Sequence, residues 1–536
     1  MSEVFAAIDV GSYELGMKVF ELSGKRGLNE LDHVVHRLDL GSETYASGHI
    51  PEARIAQLIS ILKEFRTVMD SYGVSPYRAW GTSALRETRD VDIVLNRILN
   101  TTGIEVRILS NSEQRFLQYK AVAMRGDAFT KIIEKPTAIL DIGGGSIQLS
   151  VFDRDKLTAT QNMRLGILRM QQALRLLDAP GDRYRKVIRE LAAQHIDSFK
   201  LMHMHGRSIR NLIIIDDYFS PILCHHRIGK MERGYASRKD FSAFIGKYEH
   251  TPQTELAKKI GVPVERLALV EIAAVLIESV VEGLDAGILW APGVSLCDGI
   301  AYDYAERKKY IVSRHDFEHD IIAAASNMSG RYMGSGSREK ALSDVALAVF
   351  DAIRKTHGMG ARERLLLQIA AILHDCGKYI SMLNMSDCSY HIIMSTEMIG
   401  LSHRERELVA NVVRMTHTPF EARPGEDVYY GKLGAEDRLV VSKLASILRV
   451  AGGLDQTRIQ KFKEVKVRLK DGQLVLGVDG ETDSAIERGL FDERSRLFET
   501  VYGIRPVIRP EWKKAGAKED NGRKKEGKTK EGKTKK

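Results

Sequence analysis

The chain has 536 residues, 43% hydrophobic and 28% charged, enough for several ordinary cores and too apolar for a fully disordered chain. With only 12 prolines and no Gly-X-Y period it is not a collagen-like fibre. The most apolar stretch, 272–289, is broken by Glu278, Glu282 and Asp285, so nothing approaches the ~20 residues of a membrane helix.

The net charge of +9 is uneven: 513–536 holds eleven Lys or Arg against four Asp or Glu, including two copies of EGKTK. A near-neutral body argues against nucleic-acid binding. The tail reads as a disordered, solvated extension, with a tether for polyanions as the alternative. Four scattered cysteines, and a start without a basic and apolar leader pattern, predict a reducing cytoplasm.

In chain order, 4–11 and 15–22 read as two strands of a hairpin, and 31–40 as a third strand. Pro51 opens a helix to Met69, with Ile55, Leu58, Leu62 and Phe65 at helical spacing. Strands and helices alternate to 127, the first lobe of an α/β fold. A second hairpin follows at 137–152, then a buried strand at 211–217 and a long apolar helix at 265–290, giving a second lobe over 128–306. Helical periodicity at 316–328, 338–356, 361–373, 391–416 and 436–451 predicts a helical domain over 307–460. The alternating segment 465–480, with Asp471-Gly472 at its turn, predicts a hairpin in a small α/β cap over 461–512.

The hairpin turns DVGS (9–12) and DIGGGS (141–146) carry the functional signal. Each follows an apolar strand. Glycine lets the backbone approach an anion, and successive N–H groups with Ser12 or Ser146 can hold phosphate oxygens. Asp9 and Asp141 would repel a bare phosphate, so each implies an intervening cation or water. One such turn is common in acidic hairpins; two copies are more specific, and could pinch one phosphate chain between two lobes.

The pair resembles that of the exopolyphosphatase and guanosine pentaphosphate phosphohydrolase (Ppx/GppA) family. The segment 81–90 is similar to its Thr-Ser-Ala-x-Arg stretch, with Arg86 at the arginine. The segment 108–122 is similar to its Ser-Gly-x-Glu-Glu-Ala-Arg stretch, with Glu113 in the catalytic-base place. MRLGILRM (163–170) and SLCDGIAYD (295–303) resemble two further family stretches.

The resemblance implies a two-lobed, ribonuclease-H-like fold of the actin, Hsp70 and sugar-kinase superfamily. It also implies release of terminal phosphate from polyphosphate, guanosine pentaphosphate (pppGpp) or both by metal-assisted attack of water, with Mg²⁺ or Mn²⁺. Glu113 would orient or deprotonate the water, Asp141 would help hold the metal, and Arg86 would stabilise transferring oxygens. Gly143, Gly144, Gly145 and Ser146 would cradle phosphate opposite Asp9, Gly11 and Ser12. The family also implies a cytoplasmic homodimer.

Three departures stand out. Tyr13 replaces the family's usual Asn. Gln148 replaces an acidic residue and can be neither base nor hard-cation ligand of equal strength. The segment 211–223 lacks the family's second-lobe glycine turn and carries Asp216 and Asp217 instead. They support a rival reading, a weakened or inactive regulatory protein that binds polyphosphate or guanosine polyphosphate. A kinase of the same superfamily fits less well, because DDYFSP has no glycine for an adenosine loop.

In the helical region His374 and Asp375 resemble the adjacent pair of an HD-type phosphohydrolase. Arg338 and Gly452 fall where that signature wants a His and an Asp, so the pair reads as a degenerate remnant, hydrogen-bonded within a bundle. Cys224, His225 and His226 lack further spaced partners for zinc.

Overall fold

The computed structural model describes residues 2–512 apart from Asp155, 178–182, His205, His250, 419–426 and Arg458. The basic tail predicted at 513–536 lies outside the described residues. The chain divides into two compact units, Met1–Gly334 with Leu373–Arg414, and Ser335–Ile372 with Met415–Lys536.

The first unit repeats one sheet plan. Strands β1 (Glu3–Val10), β2 (Glu14–Ser23) and β3 (Gly27–Arg37) form an antiparallel meander, and β4 (Tyr77–Gly81) and β5 (Val106–Ile108) extend it in parallel, in the order β3-β2-β1-β4-β5. The second sheet starts with another meander, β6 (Thr137–Ile142), β7 (Ile147–Asp153) and β8 (Lys156–Met163). Parallel to β6 run β9 (Asn211–Asp216) and then β11 (Ile288–Trp290), with β10 (Tyr235–Ser237) antiparallel at the edge. This doubled order is that of two ribonuclease-H-like lobes. It puts β1 and β6, and hence Asp9 and Asp141, in equivalent places.

Alternation divides each strand between two layers. Ala6, Ile8 and Val10 enter an outer core with Leu58, Leu62 and Phe65, whereas Phe5 and Ala7 face the helix Leu296–Arg307. Ala138, Leu140 and Ile142 meet the apolar helix Leu267–Gly283, whereas Ile139 faces Tyr119 and Val122 of the helix Asn111–Ala123.

The segment SLCDGIAYD has separate structural reasons. Asp298 accepts from Ser295 N and Oγ at 2.7 and 2.8 Å, a capping box. Asp298 also holds the buried Lys18 ammonium at 2.9 Å. A Cβ at Gly299 would come 1.9 Å from the Leu117 carbonyl oxygen, so only glycine lets the two helices touch there.

Several predicted boundaries are corrected. The helix expected at 265–290 ends at Gly283, because the chain must return to form β11. The helix Leu296–Arg307, expected with the second lobe, packs on β1 of the first. The stretch 391–416 is two helices, Met385–Ser395 and His403–His417.

The helical domain expected at 307–460 is not one body either. Phe317 and Ile399 join the aromatic core around Tyr119, which ties their segments to the first unit. In the second unit, helices Gly336–Ala352, Ala361–Ile372 and Ala435–Gly453 keep company with β12 (Lys466–Lys470), β13 (Gln473–Asp479) and β14 (Arg505–Trp512). The β12–β13 hairpin turns at Asp471 and Gly472, both with positive φ (50° and 73°), as Asp-Gly predicts. Among the described residues no helix is long and apolar enough to cross a membrane.

Candidate active site

The two glycine turns face one another. In the first, Gly11 N donates to Glu14 O at 3.1 Å, and a Cβ at Gly11 would lie 2.5 Å from that oxygen. Ser12 is buried, its hydroxyl 2.7 Å from Ser83 Oγ and 2.8 Å from Tyr45 OH, and it accepts from Ala84 N at 3.2 Å.

In the second turn the helix Ile167–Leu176 takes the carbonyl edge. Ile167 N donates to Gly143 O at 3.1 Å, Leu168 N to Gly144 O at 3.0 Å, and Arg169 Nε to Gly145 O at 2.9 Å. Oxygens that would repel phosphate are thereby occupied, and the helix N-terminus adds positive potential. A Cβ at Gly144 would stand 3.0 Å from Ser12 Cβ, and one at Gly145 2.8 Å from Tyr45 Oη. Asp9, Ser12, Ser83, Gly143, Gly144 and Asp217 line a single cleft of about 50 Å³.

The cleft is strongly acidic. Burial, then Asp217, Glu14 and Asp141, hold the Asp9 carboxyl well above the usual carboxylate range. Asp9 Oδ1 is buried with no hydrogen-bond partner among the described residues. Asp141 is pushed up to about 6 by burial, against the pull of Arg115 and a hydrogen bond from Gln118. Asp217 is pushed up to about 7, by loss of hydration in the crowded cleft and by Glu14, Asp216 and Asp141. Asp216 turns inward, accepting from Tyr218 N at 2.6 Å, Ser220 N at 3.0 Å and Ser220 Oγ at 2.7 Å. It thus shapes the turn after β9 in place of glycines. Arg266 steadies the rim, 2.9 Å from Glu14 Oε1 and 3.0 Å from the Asp217 carbonyl.

Four predicted residues do not line the cleft: Glu113, Arg86, Gln148 and Asp141, the last facing an inner cavity. Glu113 is the capping-box residue of its helix: Oε2 accepts from Ser110 N at 3.0 Å and Ser110 Oγ at 2.6 Å. It does not line the cleft, whereas Gln114 and Gln118 do. Arg86 donates to Leu109 O and Asn111 Oδ1, both at 2.6 Å, so its planar fork braces the loop before that helix. Gln148 is 2% exposed and donates to Thr160, facing a small inner cavity with Asp141.

Sequence reasoning missed Arg115, whose Nη2 donates to Ser146 Oγ at 3.1 Å. The signal was present: in Ser-Gly-x-Glu-Glu-Ala-Arg counted from Ser110, the second Glu falls at Gln114 and the Ala at Arg115.

His374 Nδ1 lies 3.1 Å from Asp375 Oδ1. In the second unit Arg338 Nε donates to Asp455 Oδ2 at 2.8 Å, an internal ion pair. Cys224, His225 and His226 each bond a different carbonyl, of Ala291, Pro221 and Ile260, so they do not converge as ligands.

Two ribonuclease-H-like lobes with an Asp-and-glycine turn in each define the class: a two-lobed α/β protein of the actin and Hsp70 kind. The chain belongs to the Ppx/GppA phosphatase family, whose model matches residues 23–308, and the model of that family's domain III matches 324–484.

Exopolyphosphatase 1 of Mycobacterium tuberculosis is 28% identical over 184 residues, covering 34% of this chain and 52% of the relative. The chain thus spans about half the length of the first curated relatives it matches. The guanosine-5'-triphosphate,3'-diphosphate pyrophosphatase of Aeromonas hydrophila is 22% identical over 481 residues, 86% of this chain and 89% of the relative. An exopolyphosphatase structure from Cytophaga hutchinsonii aligns with TM-score 0.49 and 20% identity, over 57% of this chain and 98% of that one.

Proposed function

We propose that the chain hydrolyses terminal phosphoanhydride bonds of inorganic polyphosphate, guanosine pentaphosphate or both. The convergence of Ser12 and Gly144 on one cleft carries this reading. Such a reaction asks the protein to hold phosphate in line with water and to neutralise charge. The Ser12, Ser83 and Tyr45 hydroxyls and the backbone of Gly143–Ser146 would hold oxygens of the terminal phosphate. Gln114 and Gln118 can orient water but cannot take its proton. Asp9 and Asp217 are cleft carboxylates that can.

A divalent cation, Mg²⁺ or Mn²⁺, is the implied cofactor. Its chemistry fits the Asp9 side, where an orphaned buried oxygen is joined by Glu14 and Asp217 in the same cleft. When bound it would screen those carboxylates from the phosphates. It does not fit at Asp141, whose Oδ2 has the Arg115 Nε at 3.8 Å. The protein would act in the cytoplasm as a homodimer.

A second reading is favoured by the amides Gln114 and Gln148 and by the engagement of Glu113 in its capping box: binding of the same polyanions without turnover. Phosphate release from polyphosphate and pppGpp, measured beside thermal stabilisation by each, separates the two. Release that is lost in Asp9→Asn supports hydrolysis. Stabilisation without release supports the binding protein, and neither one removes both.

A further inference from the structure

The inner cavity beside Asp141 collects buried polar groups that the cleft chemistry does not use. Its walls include Arg115, Asp141, Gln148 and Ser150. Arg115 is 6% exposed. One of its nitrogens is committed: Nη2 donates to Ser146 Oγ at 3.1 Å and Asn162 Oδ1 at 2.7 Å. The other two, Nε and Nη1, have no hydrogen-bond partner among the described residues. They stand instead 3.8 Å from Asp141 Oδ2 and 3.9 Å from Glu397 Oε2. A positive group therefore sits between two carboxylates, directly behind the phosphate-type turn.

Gln148 lines this cavity with Asp141, and Gln114 lines the neighbouring cleft. A hard divalent cation wants several anionic oxygens around it, and these two side chains are neutral amides. A guanidinium within 4 Å of the remaining carboxylate already supplies positive charge and repels a second cation.

We propose that Arg115 is a tethered cation that takes the place of a divalent metal at Asp141, behind the DIGGGS turn. Asp141 is then a guanidinium partner rather than a metal ligand, and Ser146 is held in place by Arg115. Glu397, from the Leu373–Arg414 segment of the same unit, supplies the second counter-charge. Whatever metal the cleft uses rests on Asp9. This rests on reading the cleft as a polyphosphate site but concerns only which cation serves it, so its test needs no turnover.

The test is Mn²⁺ binding to the full chain without substrate, followed by electron paramagnetic resonance. Asp141→Asn is expected to change Mn²⁺ affinity by less than about twofold, whereas loss of even an outer-shell partner of a metal ligand costs about tenfold or more. Arg115→Gln is expected to gain one further Mn²⁺, and Arg115→Gln with Asp141→Asn to lose it again. Arg115→Lys keeps the charge and is expected to gain none. Tenfold weakening in Asp141→Asn alone, or a folded Arg115→Gln that gains no Mn²⁺, overturns the proposal. If Arg115→Gln does not keep its folded circular-dichroism spectrum, the comparison of wild type with Asp141→Asn decides.

Discussion

The Ser12 hydroxyl lies 2.7 Å from the Ser83 hydroxyl, across 71 residues of sequence. Tyr45 OH closes a triangle, at 2.8 Å from Ser12 and 2.7 Å from Ser83. Three hydroxyls that satisfy one another can swing toward an arriving phosphate without leaving a buried donor unpaired. Ser83→Ala is expected to slow phosphate release about tenfold, the worth of one hydrogen bond to a charged group. Rates from Ser83→Ala and Tyr45→Phe equal to wild type would remove the triangle from the reaction.

Glu113 gives a contrasting expectation. Its carboxylate closes the capping box at Ser110, so Glu113→Ala should lower stability by about 1 kcal/mol. Phosphate release per folded molecule should stay within about twofold of wild type, since the lost interaction is a structural cap. A large fall in turnover with unchanged melting temperature would return Glu113 to the catalytic role that its motif position suggested.

Gly166 supports the second turn from behind. A Cβ there would lie 2.2 Å from Gly145 C and from Ser146 N, both backbone atoms that cannot rotate away. Gly166→Ala must shift the turn, costing about 1–3 kcal/mol in overpacking. Polyphosphate affinity and thermal stability should fall together. Unaltered values for both would show that the turn tolerates the displacement.

The pH dependence of stability follows from Asp217. Its folded value of about 7 lies above the unfolded carboxylate value near 4. A raised carboxyl stabilises the fold fully below the unfolded value, and that contribution is lost as pH rises through about 7. Asp217→Asn should therefore melt higher than wild type at pH 8 and much like it at pH 4. Because the side chain reaches solvent at the cleft mouth, the gain should stay under about 1 kcal/mol. The measurement is paired thermal scans in EDTA; a difference that is constant with pH contradicts the assignment.

Lys18 is 8% exposed and holds Asp298 at 2.9 Å, with Glu30 also at 2.9 Å. Lys18→Met strands a buried carboxylate and should cost about 3–5 kcal/mol. The pair Lys18→Met with Asp298→Leu should recover part of the loss in thermal unfolding. No recovery would mean that the Ser295 capping box, which also needs Asp298, dominates.

Much of the fold was legible because its signals are local. The meander at β1 and β2, the DIGGGS hairpin, the helix after Pro51 and the Asp471-Gly472 turn each follow from periodicity or turn chemistry within a dozen residues. The site was legible in part for the same reason: the glycine turns are short-range objects, and they do face one cleft. For Glu113 and Arg86 the motif names a residue without its orientation. Glu113 points back to its cap, and Arg86 points to a loop carbonyl. Arg115 was overlooked because its partners, Ser146, Asn162 and Glu397, are 31, 47 and nearly three hundred residues away.

By itself, the amino-acid order determined which segments become strands, where the chain must turn, and that two acidic glycine bends recur on equivalent strands. Those outcomes depend on backbone sterics and on alternation of apolar residues, which act over a few positions. Only the tertiary structure decided which side chains meet between the lobes. It turned Glu113 to its cap, tied Asp216 to its own turn and brought Arg115 against Asp141. It also divided the helical region between two units. Those choices depend on charge and burial at points that the chain reaches from distant directions, and no local pattern encodes them.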